Sequence, residues 1–199
     1  MKLGIASSNP NKIREYKTLL SSIKGLELVS MRDFSNYMPP EETGTSFEEN
    51  ASIKALDFAN FIGGLALGDD SGLVVPALNG EPGIRSSRYA KENATDAENR
   101  QKLKLAIEKV SDKDRQAYFA CSLALASPGI IKKITTAYCE GYLITEERGG
   151  NGFGYDSMFI RHDYNKTFAE LDSQIKNKIS HRRKAFDKMF PYLENLLSK

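Results

Sequence analysis

The chain has 199 residues, of which 40% are hydrophobic and 27% are charged, and its formal net charge is +2. This composition is typical of one globular domain, and so small a charge argues against a nucleic-acid or membrane surface that works by bulk electrostatics. Cys121 and Cys139 lack metal-ligand spacing, and we find no signal peptide and no apolar run of roughly 18 residues. We therefore expect reduced thiols and a soluble cytoplasmic protein.

The first predicted elements are a buried strand from Leu3 to Ala6 and a helix with Pro10 in its first turn. The polar residues that connect them are Ser7, Ser8 and Asn9. The helix has an apolar face made of Ile13, Tyr16, Leu20 and Ile23. Its N-terminus and the charge of Lys12 are suited to binding a phosphate. The alternative is that Ser and Asn cap the helix and that Lys12 is solvated.

A second strand is predicted from Leu26 to Val29, and a loop from 31 to 45 follows it. Ser46 and Glu49 have capping-box spacing and predict the start of the next helix. The apolar positions of this helix are Phe47, Ala51, Phe58 and Ile62. The prediction is therefore a strand, a long loop and an amphipathic helix.

Lys54 lies beside the apolar face of this second helix, where a charge without a partner is costly. Asn50 is four residues before it and shares its face of the helix. Glu41 and Glu42 in the preceding loop are candidate partners of Lys54, or a source of oxygen ligands for a metal. A solvated acidic loop and a snorkelling lysine are the alternative.

The segment Leu67-Gly68-Asp69-Asp70-Ser71-Gly72-Leu73 sets two carboxylates and a hydroxyl between glycines, after the apolar run 65–67. We expect a strand that runs into a turn and lifts both carboxylates to a sheet edge. Adjacent carboxylates repel each other unless a cation or a shared proton relieves them, and oxygen ligands suit magnesium. The alternative is a surface turn that closes a hairpin.

The second half of the chain mixes helix and hairpin patterns. The Gly and Pro residues of 77–89 predict a shaped loop, and the Thr95 and Glu98 capping box starts a helix through Leu103, Ile107 and Val110. Residues 116–125 alternate as a strand, and 130–138 returns after Pro128 and Gly129 as its hairpin partner. This combination predicts an α/β fold with a mixed sheet.

Two further stretches are suited to ligand binding. The segment 149–156 packs four glycines around Phe153 and Tyr155, which would let the backbone close on a ligand and a ring stack on a base. A flexible hairpin loop is the alternative. Positive charge then concentrates over 176–184, at the predicted start of a last helix, where a bound anion or a base carbonyl would compensate it. A solvated cluster would explain the same charges.

Five motifs in this order closely resemble the inosine triphosphate pyrophosphatase family, whose bacterial members act on noncanonical purine nucleoside triphosphates. They are Ser8-Asn9 to Lys12, EETGTSFEENASIKA (41–55), DDSGLVVPALNGEPGIRSSRYA (69–90), GFGYD (152–156) and SHRRKA (180–185). The resemblance covers nearly the whole chain. It implies one domain over 1–199, with an elongated mixed sheet flanked by helices, two lobes and a nucleotide cleft between them. It also implies a homodimer that hydrolyses ITP, dITP and XTP to the monophosphate and pyrophosphate with Mg²⁺.

The same resemblance implies roles for individual residues. Asp70 would be the general base and a metal ligand, and Glu41 the second metal ligand, with Glu42 as its rival. The residues implied to hold the triphosphate are Ser7, Ser8, Asn9, Lys12, Lys54 and Ser71. Those implied to frame the base and sugar are Phe153, Gly154, Tyr155, Asp156, Lys176, His181 and Arg182.

Three residues depart from the family pattern. Ser8 stands where many members have Gly, Ser157 where Pro is usual, and Arg183 where Gly is common. A regulatory module that binds a nucleotide without catalysis is the main alternative to an enzyme, and the crowded Asp69 and Asp70 pair favours the enzyme. Binding to nucleic acid through 153–155 and 176–184 is disfavoured by the small net charge.

Overall fold

The computed structural model describes residues 2–21 and 23–197. Within them the strands are β1 (Lys2–Ala6), β2 (Glu27–Ser30), β3 (Leu65–Val74), β4 (Gln116–Ser127), β5 (Ile130–Leu143) and β6 (Phe159–Arg161). The helices are α1 (Pro10–Leu19), α2 (Phe47–Ile62), α3 (Asp96–Ile107), α4 (Ser173–Ile179) and α5 (His181–Leu197). No helix in this part of the chain combines the length and apolar character needed to cross a bilayer.

The strands form one mixed sheet in the order β2-β1-β3-β4-β5-β6. Strand β1 pairs in parallel with β2 and with β3, while β5 and β6 are antiparallel. Parallel neighbours need crossover connections, which α1 and α2 supply. The predicted α/β fold with a mixed sheet is therefore confirmed.

The chain divides into two compact units. Unit 1 holds the described residues up to Asp70, Cys121–Ala137 and those from Arg182 onward, and unit 2 holds Ser71–Ala120 and Tyr138–His181. In unit 1 one apolar core joins β1, β3 and β4 to α1 and α5, and a second core joins the same strands to α2. The sheet of unit 1 is thus covered on both faces.

The core of unit 2 is rich in aromatic residues. Phe119, Phe159 and Phe168 pack together with ring centroids 4.8 to 6.0 Å apart, and α3 contributes Leu103 and Ile107. Aromatic pairs at these separations add to the free energy gained from burying their area. This core packs β4 and β6 against Phe168 and Leu171 of the segment that precedes α4.

Strand β3 differs from the prediction, because it continues through the Gly-Asp-Asp-Ser-Gly segment to Val74. Neither a turn at a sheet edge nor a hairpin turn is formed. Strand β3 lies between β1 and β4, and this pairing holds the segment extended, with Ala6 of β1 opposite Gly68. The turn propensities of Gly, Asp and Ser are overridden by this ladder and by the side-chain contacts described below.

Three helix boundaries also differ. Helix α1 ends at Leu19 and α3 at Ile107, so Ile23 and Val110 lie beyond them. The predicted last helix is two helices, because Ser180 is extended between α4 and α5, and the 176–184 cluster therefore spans both. Residues 77–89 contain 3₁₀ turns at Pro76–Leu78 and Gly83–Arg88. Both cysteines are buried thiols, as predicted.

Candidate active site

The two adjacent aspartates of β3 point to opposite faces of the sheet, because side chains alternate along a strand. Leu67 and Asp69 face α1 and α5, whereas Ala66, Gly68 and Asp70 face α2. Asp69 is 2% exposed and Asp70 6% exposed. The repulsion expected between neighbouring carboxylates is therefore relieved by geometry and by separate sets of partners.

Asp69 is the acceptor at the centre of a buried network. Its Oδ1 accepts from Lys12 Nζ at 2.6 Å, and its Oδ2 accepts from Tyr16 Oη at 2.5 Å and from Arg182 Nε at 2.7 Å. Helix α1 places Lys12 and Tyr16 one turn apart on one face, and α5 begins with the residue before Arg182. Asp69 thus ties both helices to β3.

Arg182 is only 1% exposed, and its charge is balanced by two carboxylates. Nη1 donates to Glu15 Oε2 at 2.5 Å, while Nε and Nη2 donate to Asp69. Burial alone would raise the pKa of Asp69, but the charges of Arg182 and Lys12 outweigh it and hold that pKa well below its usual range. Asp69 is therefore an ionised structural anchor.

Asp70 has a different and smaller set of partners, which come from α2. Its Oδ1 accepts from Lys54 Nζ at 2.7 Å, and its Oδ2 accepts from Asn50 Nδ2 at 3.4 Å. Lys54 also donates to Glu42 Oε1 at 3.0 Å. The shared face of Asn50 and Lys54, and a carboxylate partner for Lys54, are thus as predicted. The Glu41 side chain is exposed, and Glu42 takes the place beside Lys54.

Close packing of β3 on α2 makes these contacts short. A Cβ added to Gly68 would overlap the Ala51 carbonyl oxygen and would stand 2.8 Å from the Ala55 nitrogen. Glycine is therefore needed at this point of the strand. Asn50 adds a second link, because its Oδ1 accepts from Gly44 N at 2.8 Å and so fixes the loop that carries Glu42.

The pKa of Asp70 is shifted in the opposite direction to that of Asp69. Burial raises the pKa of Asp70, and the opposing charges of Lys54 and Lys12 do not fully offset it. The neighbouring carboxylates raise the pKa of Lys54 despite its burial. A carboxyl group whose pKa is raised binds a proton more readily, which suits a general base.

The residues around Asp70 fit a hard divalent cation in their chemistry. Oxygens of Asp70 and Glu42 converge on one ammonium group, so this point already attracts positive charge. Among the described residues there is no cluster of three or more His, Cys, Asp or Glu side chains that would enclose a metal. Magnesium commonly takes one or two carboxylates and completes its shell with water and phosphate oxygens. The carboxylates of Asp70 and Glu42 are therefore enough protein ligands for one magnesium ion.

The N-terminus of α1 is capped by Asn9, as the capping alternative expected, but Lys12 is not solvated as that alternative assumed, because its Nζ donates to Asp69. Asn9 Oδ1 accepts from the N–H groups of Asn11 and Lys12 at 2.9 and 3.3 Å, and Pro10 has no N–H. Ser7 Oγ accepts from Asn9 N at 3.1 Å, and Ser8 is exposed. The positive groups at this end of β1 are therefore the Lys12 side chain and the helix dipole.

In unit 2 the glycine-rich loop is held by its own last residue. Asp156 Oδ2 accepts from Phe153 N at 2.9 Å and from Lys176 Nζ at 2.5 Å. Lys176 Nζ also lies 4.6 Å from the Phe153 ring centroid, as in a cation–π contact. Three of the predicted base-framing residues, Phe153, Asp156 and Lys176, thus form one cluster.

The other predicted residues of unit 2 have separate surroundings. Tyr155 Oη donates to the Ser86 carbonyl at 2.8 Å, and burial raises the pKa of that phenol. His181 stacks on Phe119 with ring centroids 4.7 Å apart. Ser71 follows Asp70 in β3, and Gly154 has a φ of 61°, which suits glycine.

The anchoring set of unit 1 was not predicted from the sequence. Tyr16 was interpreted as an apolar helix residue, Glu15 was assigned no role, and Asp69 was assigned none apart from its pairing with Asp70. The Tyr16 hydroxyl and the Glu15 carboxylate become informative only when α5 brings Arg182 to them, 167 residues away from Glu15. Tyrosine at an apolar position, with its polar hydroxyl, was the only signal that pointed to such a bond.

The chain is similar to known proteins over nearly its whole length. A family model described as the Ham1 family matches residues 3–192. The chain belongs to the Ham1 family. One relative, a dITP/XTP pyrophosphatase of Protochlamydia amoebophila, is 50% identical over 98% of this chain and 99% of its own. Another, from Chlamydia abortus, is 47% identical over 100% of this chain and 97% of its own, and is also a dITP/XTP pyrophosphatase.

Solved structures of Ham1 proteins are also similar to this chain. A HAM1 protein of Coxiella burnetii superposes with a TM-score of 0.87 at 42% identity, covering 98% of this chain and 99% of its own. The Staphylococcus aureus Ham1 protein gives 0.85 at 36% identity, covering 98% and 99%. The Ham1 fold therefore accounts for nearly the full chain, including both aspartates and the 149–156 loop.

Proposed function

We propose that this protein is a hydrolase that converts the noncanonical purine nucleoside triphosphates ITP, dITP and XTP to the monophosphate and pyrophosphate. Full-length relatives at up to 50% identity are dITP/XTP pyrophosphatases, which supports the substrate class. The observation that carries the chemistry is Asp70, a buried carboxylate with a raised pKa beside two lysines. A binding module without catalysis would not need such a group.

In this proposal Asp70 takes the proton from the attacking water. Lys12 and Lys54 neutralise phosphate oxygens, and both already contact carboxylates at distances of 2.6 and 2.7 Å. Preorganised charges of this kind stabilise the negative charge that develops during phosphoryl transfer. The other residues proposed to hold the triphosphate are Ser7, Ser8, Asn9 and Ser71.

We propose Mg²⁺ as the cofactor, with Asp70 and either Glu42 or Glu41 as its protein ligands. Glu42 is the stronger candidate, because Lys54 bridges it to Asp70. Bound magnesium would neutralise charge on the triphosphate and lower the pKa of a coordinated water. The set formed by Asp69, Asp70, Glu15 and Glu42 against Lys12, Lys54 and Arg182 has one more carboxylate than cation and so accommodates added positive charge.

We propose that Phe153, Gly154, Tyr155, Asp156 and Lys176 frame the base and sugar, together with His181 and Arg182. Hypoxanthine and xanthine carry a 6-oxo acceptor where adenine carries a 6-amino donor. Donors of His181, Arg182 or the backbone would thus pair with the oxo bases and would face another donor in ATP. Each of the three Arg182 nitrogens already donates to Asp69 or Glu15, so a bond to the base would share a nitrogen with one of these carboxylates.

We also propose that the protein is a homodimer in the cytoplasm. The family resemblance favours a homodimer, and two buried thiols are typical of the reducing cytoplasm. Neither nucleic acid nor a membrane is expected as a partner, because the net charge is only +2. Sedimentation equilibrium of the purified chain will give its mass, and a monomer at micromolar concentration would contradict the dimer.

The direct test is a nucleotide panel with magnesium and identification of the products. We expect IMP and pyrophosphate from ITP, and a kcat/KM for ITP at least about 10²-fold above that for ATP, because unpaired buried donors cost about 1–3 kcal/mol each. Formation of IDP and orthophosphate would contradict cleavage between the α and β phosphates. Binding of ITP without any product would support the regulatory module instead.

A further inference from the structure

Helix α3 holds the backbone of Gly154 from both sides. The Gly154 N–H donates to Asp96 Oδ2 at 2.7 Å, and the Gly154 carbonyl accepts from Arg100 Nη1 at 3.0 Å. A glycine with a φ of 61° has little intrinsic preference for one peptide orientation. Two bonds of opposite polarity select a single orientation for both peptide groups of Gly154.

The helix that supplies these bonds has a well-fixed N-terminus. Thr95 Oγ1 accepts from Glu98 N, and Glu98 Oε2 accepts from Thr95 N at 2.8 Å, which completes a capping box. Asp96 and Arg100 are four residues apart and so lie on one face of α3. Both side chains therefore project from the same face of a helix whose first turn is capped.

Arg100 also contacts residues that flank the glycine-rich loop 149–156. Its Nε donates to Glu147 Oε2 at 2.7 Å, and the same oxygen accepts from Ser157 Oγ at 3.0 Å. Glu147 and Ser157 lie just outside the two ends of 149–156, and the Arg148 N–H donates to the Ser157 carbonyl at 3.0 Å. A serine at 157 makes a side-chain bond to Glu147 that a proline there would lack.

We propose that Asp96 and Arg100 are positioning residues that set the conformation of the 153–155 segment and thereby the affinity for the purine end of the substrate. The proposal rests on the proposed function for its substrate. They act through the Gly154 backbone and through Glu147, rather than on the reacting phosphates. The segment is also held by the Asp156 and Tyr155 side chains of the loop itself and by Lys176, which lies over the Phe153 ring.

The kinetic test compares Arg100→Ala with Gln101→Ala, a substitution at the next and exposed position of the same helix. Loss of the Arg100 bonds should raise KM for ITP about five- to tenfold and leave kcat within about twofold, because a loosened base contact weakens ground state and transition state alike. The double variant Arg100→Ala/Ser157→Ala should raise KM by less than the product of the single effects, since both act through Glu147.

A second test needs no substrate. Amide hydrogen exchange at Gly154 should accelerate at least about fivefold in Asp96→Ala and remain slow in Asp96→Asn, which keeps an acceptor oxygen. Unchanged exchange in Asp96→Ala would overturn the proposal. An unchanged KM for ITP in Arg100→Ala would also overturn it, as would an equal rise of KM in Gln101→Ala. A fall in the kcat of Arg100→Ala without a rise in KM would overturn it as well. If the wild-type chain releases no pyrophosphate from ITP, the proposed function fails, and the exchange result still decides whether α3 positions Gly154.

Discussion

Asp69 and Asp70 carry the same side chain in opposite electrostatic surroundings. Four polar donors hold Asp69 ionised, namely those of Lys12, Tyr16, Arg182 and the Cys121 thiol, whose Sγ lies 3.6 Å from Oδ2. Asp70 is bonded to Lys54 and Asn50, and burial raises its pKa. One residue is suited to hold structure and the other to exchange a proton.

The two aspartates should therefore differ in their effect on stability. Asp69→Asn leaves Lys12 without its carboxylate partner and Arg182 with Glu15 alone in a buried network, which should cost about 3–5 kcal/mol of unfolding free energy. Asp70→Asn keeps the shape beside Lys54, which is less buried than Arg182 and retains Glu42 as a partner. We expect Asp70→Asn to lower the free energy of unfolding by less than about 2 kcal/mol.

Urea unfolding of both variants, followed by far-UV circular dichroism, gives the comparison directly. The wild-type chain is the reference, and the slope with urea shows whether the unfolded states are comparable. A larger loss of stability in Asp70→Asn than in Asp69→Asn would mean that the two roles are exchanged.

At the scale of elements, the contact between β3 and α2 sets the geometry around Asp70. Gly68 allows the strand to approach Ala51 and Ala55, and this approach brings Lys54 within 2.7 Å of Asp70. A side chain at 68 would move the helix or bend the strand. The contact between Asp70 and Lys54 therefore depends on Gly68, a residue that has no side chain.

Gly68→Ala should disturb stability and activity together. Overpacking of this kind costs about 1–3 kcal/mol, and displacement of α2 would separate Lys54 from Asp70 and slow ITP turnover. Gly64→Ala is the control, because a Cβ at Gly64 meets open space. Thermal unfolding and ITP turnover of the two variants will be compared, and wild-type values for Gly68→Ala would refute the tight contact.

Elements with local signals could be predicted from the sequence. Thr95 and Glu98 form the expected capping box, and the apolar residues of α2 and the alternation of β4 were read correctly. The course of β3 could not be predicted, since Gly, Asp and Ser favour turns locally. What keeps that segment extended is pairing with β1 and side-chain bonds from 53 and 113 residues away.

At the scale of the whole molecule, each unit carries its own set of the residues named in the proposed function. Unit 1 carries Asp70 with its lysines, and unit 2 carries the Phe153 to Asp156 segment with Lys176. The resemblance to a known family assigned these residues together. Their physical settings could not be derived from single motifs, because each depends on partners in distant segments.

The pH dependence of stability follows from the carboxyl groups as a set. Folding lowers the pKa of Asp33, Glu49, Asp69 and Glu170, and lowers that of Glu98 to about 2. The unfolded chain therefore takes up more protons as pH falls below about 5, and the stability these groups contribute is lost on the way to about pH 2. The raised pKa of Asp70 opposes this trend.

We accordingly expect the urea midpoint to fall between pH 7 and pH 3, with the steepest loss below about pH 4. Asp69→Asn should weaken this dependence, because it removes the buried carboxylate whose pKa is lowered most strongly. Equilibrium unfolding at a series of pH values provides the measurement. A midpoint that is constant or that rises toward pH 3 would contradict the assigned directions of the pKa shifts.

The central claim is that this chain hydrolyses ITP with Asp70 as the general base. Its most direct test is the rate of pyrophosphate release from ITP by the wild-type chain and by Asp70→Asn, with magnesium and with folding verified by circular dichroism. Loss of a general base typically costs about 10²–10⁴-fold in rate, and loss of a metal ligand adds to this. We predict a fall in kcat of at least about 10²-fold in Asp70→Asn. A folded variant that keeps more than about a tenth of the wild-type rate would contradict the claim.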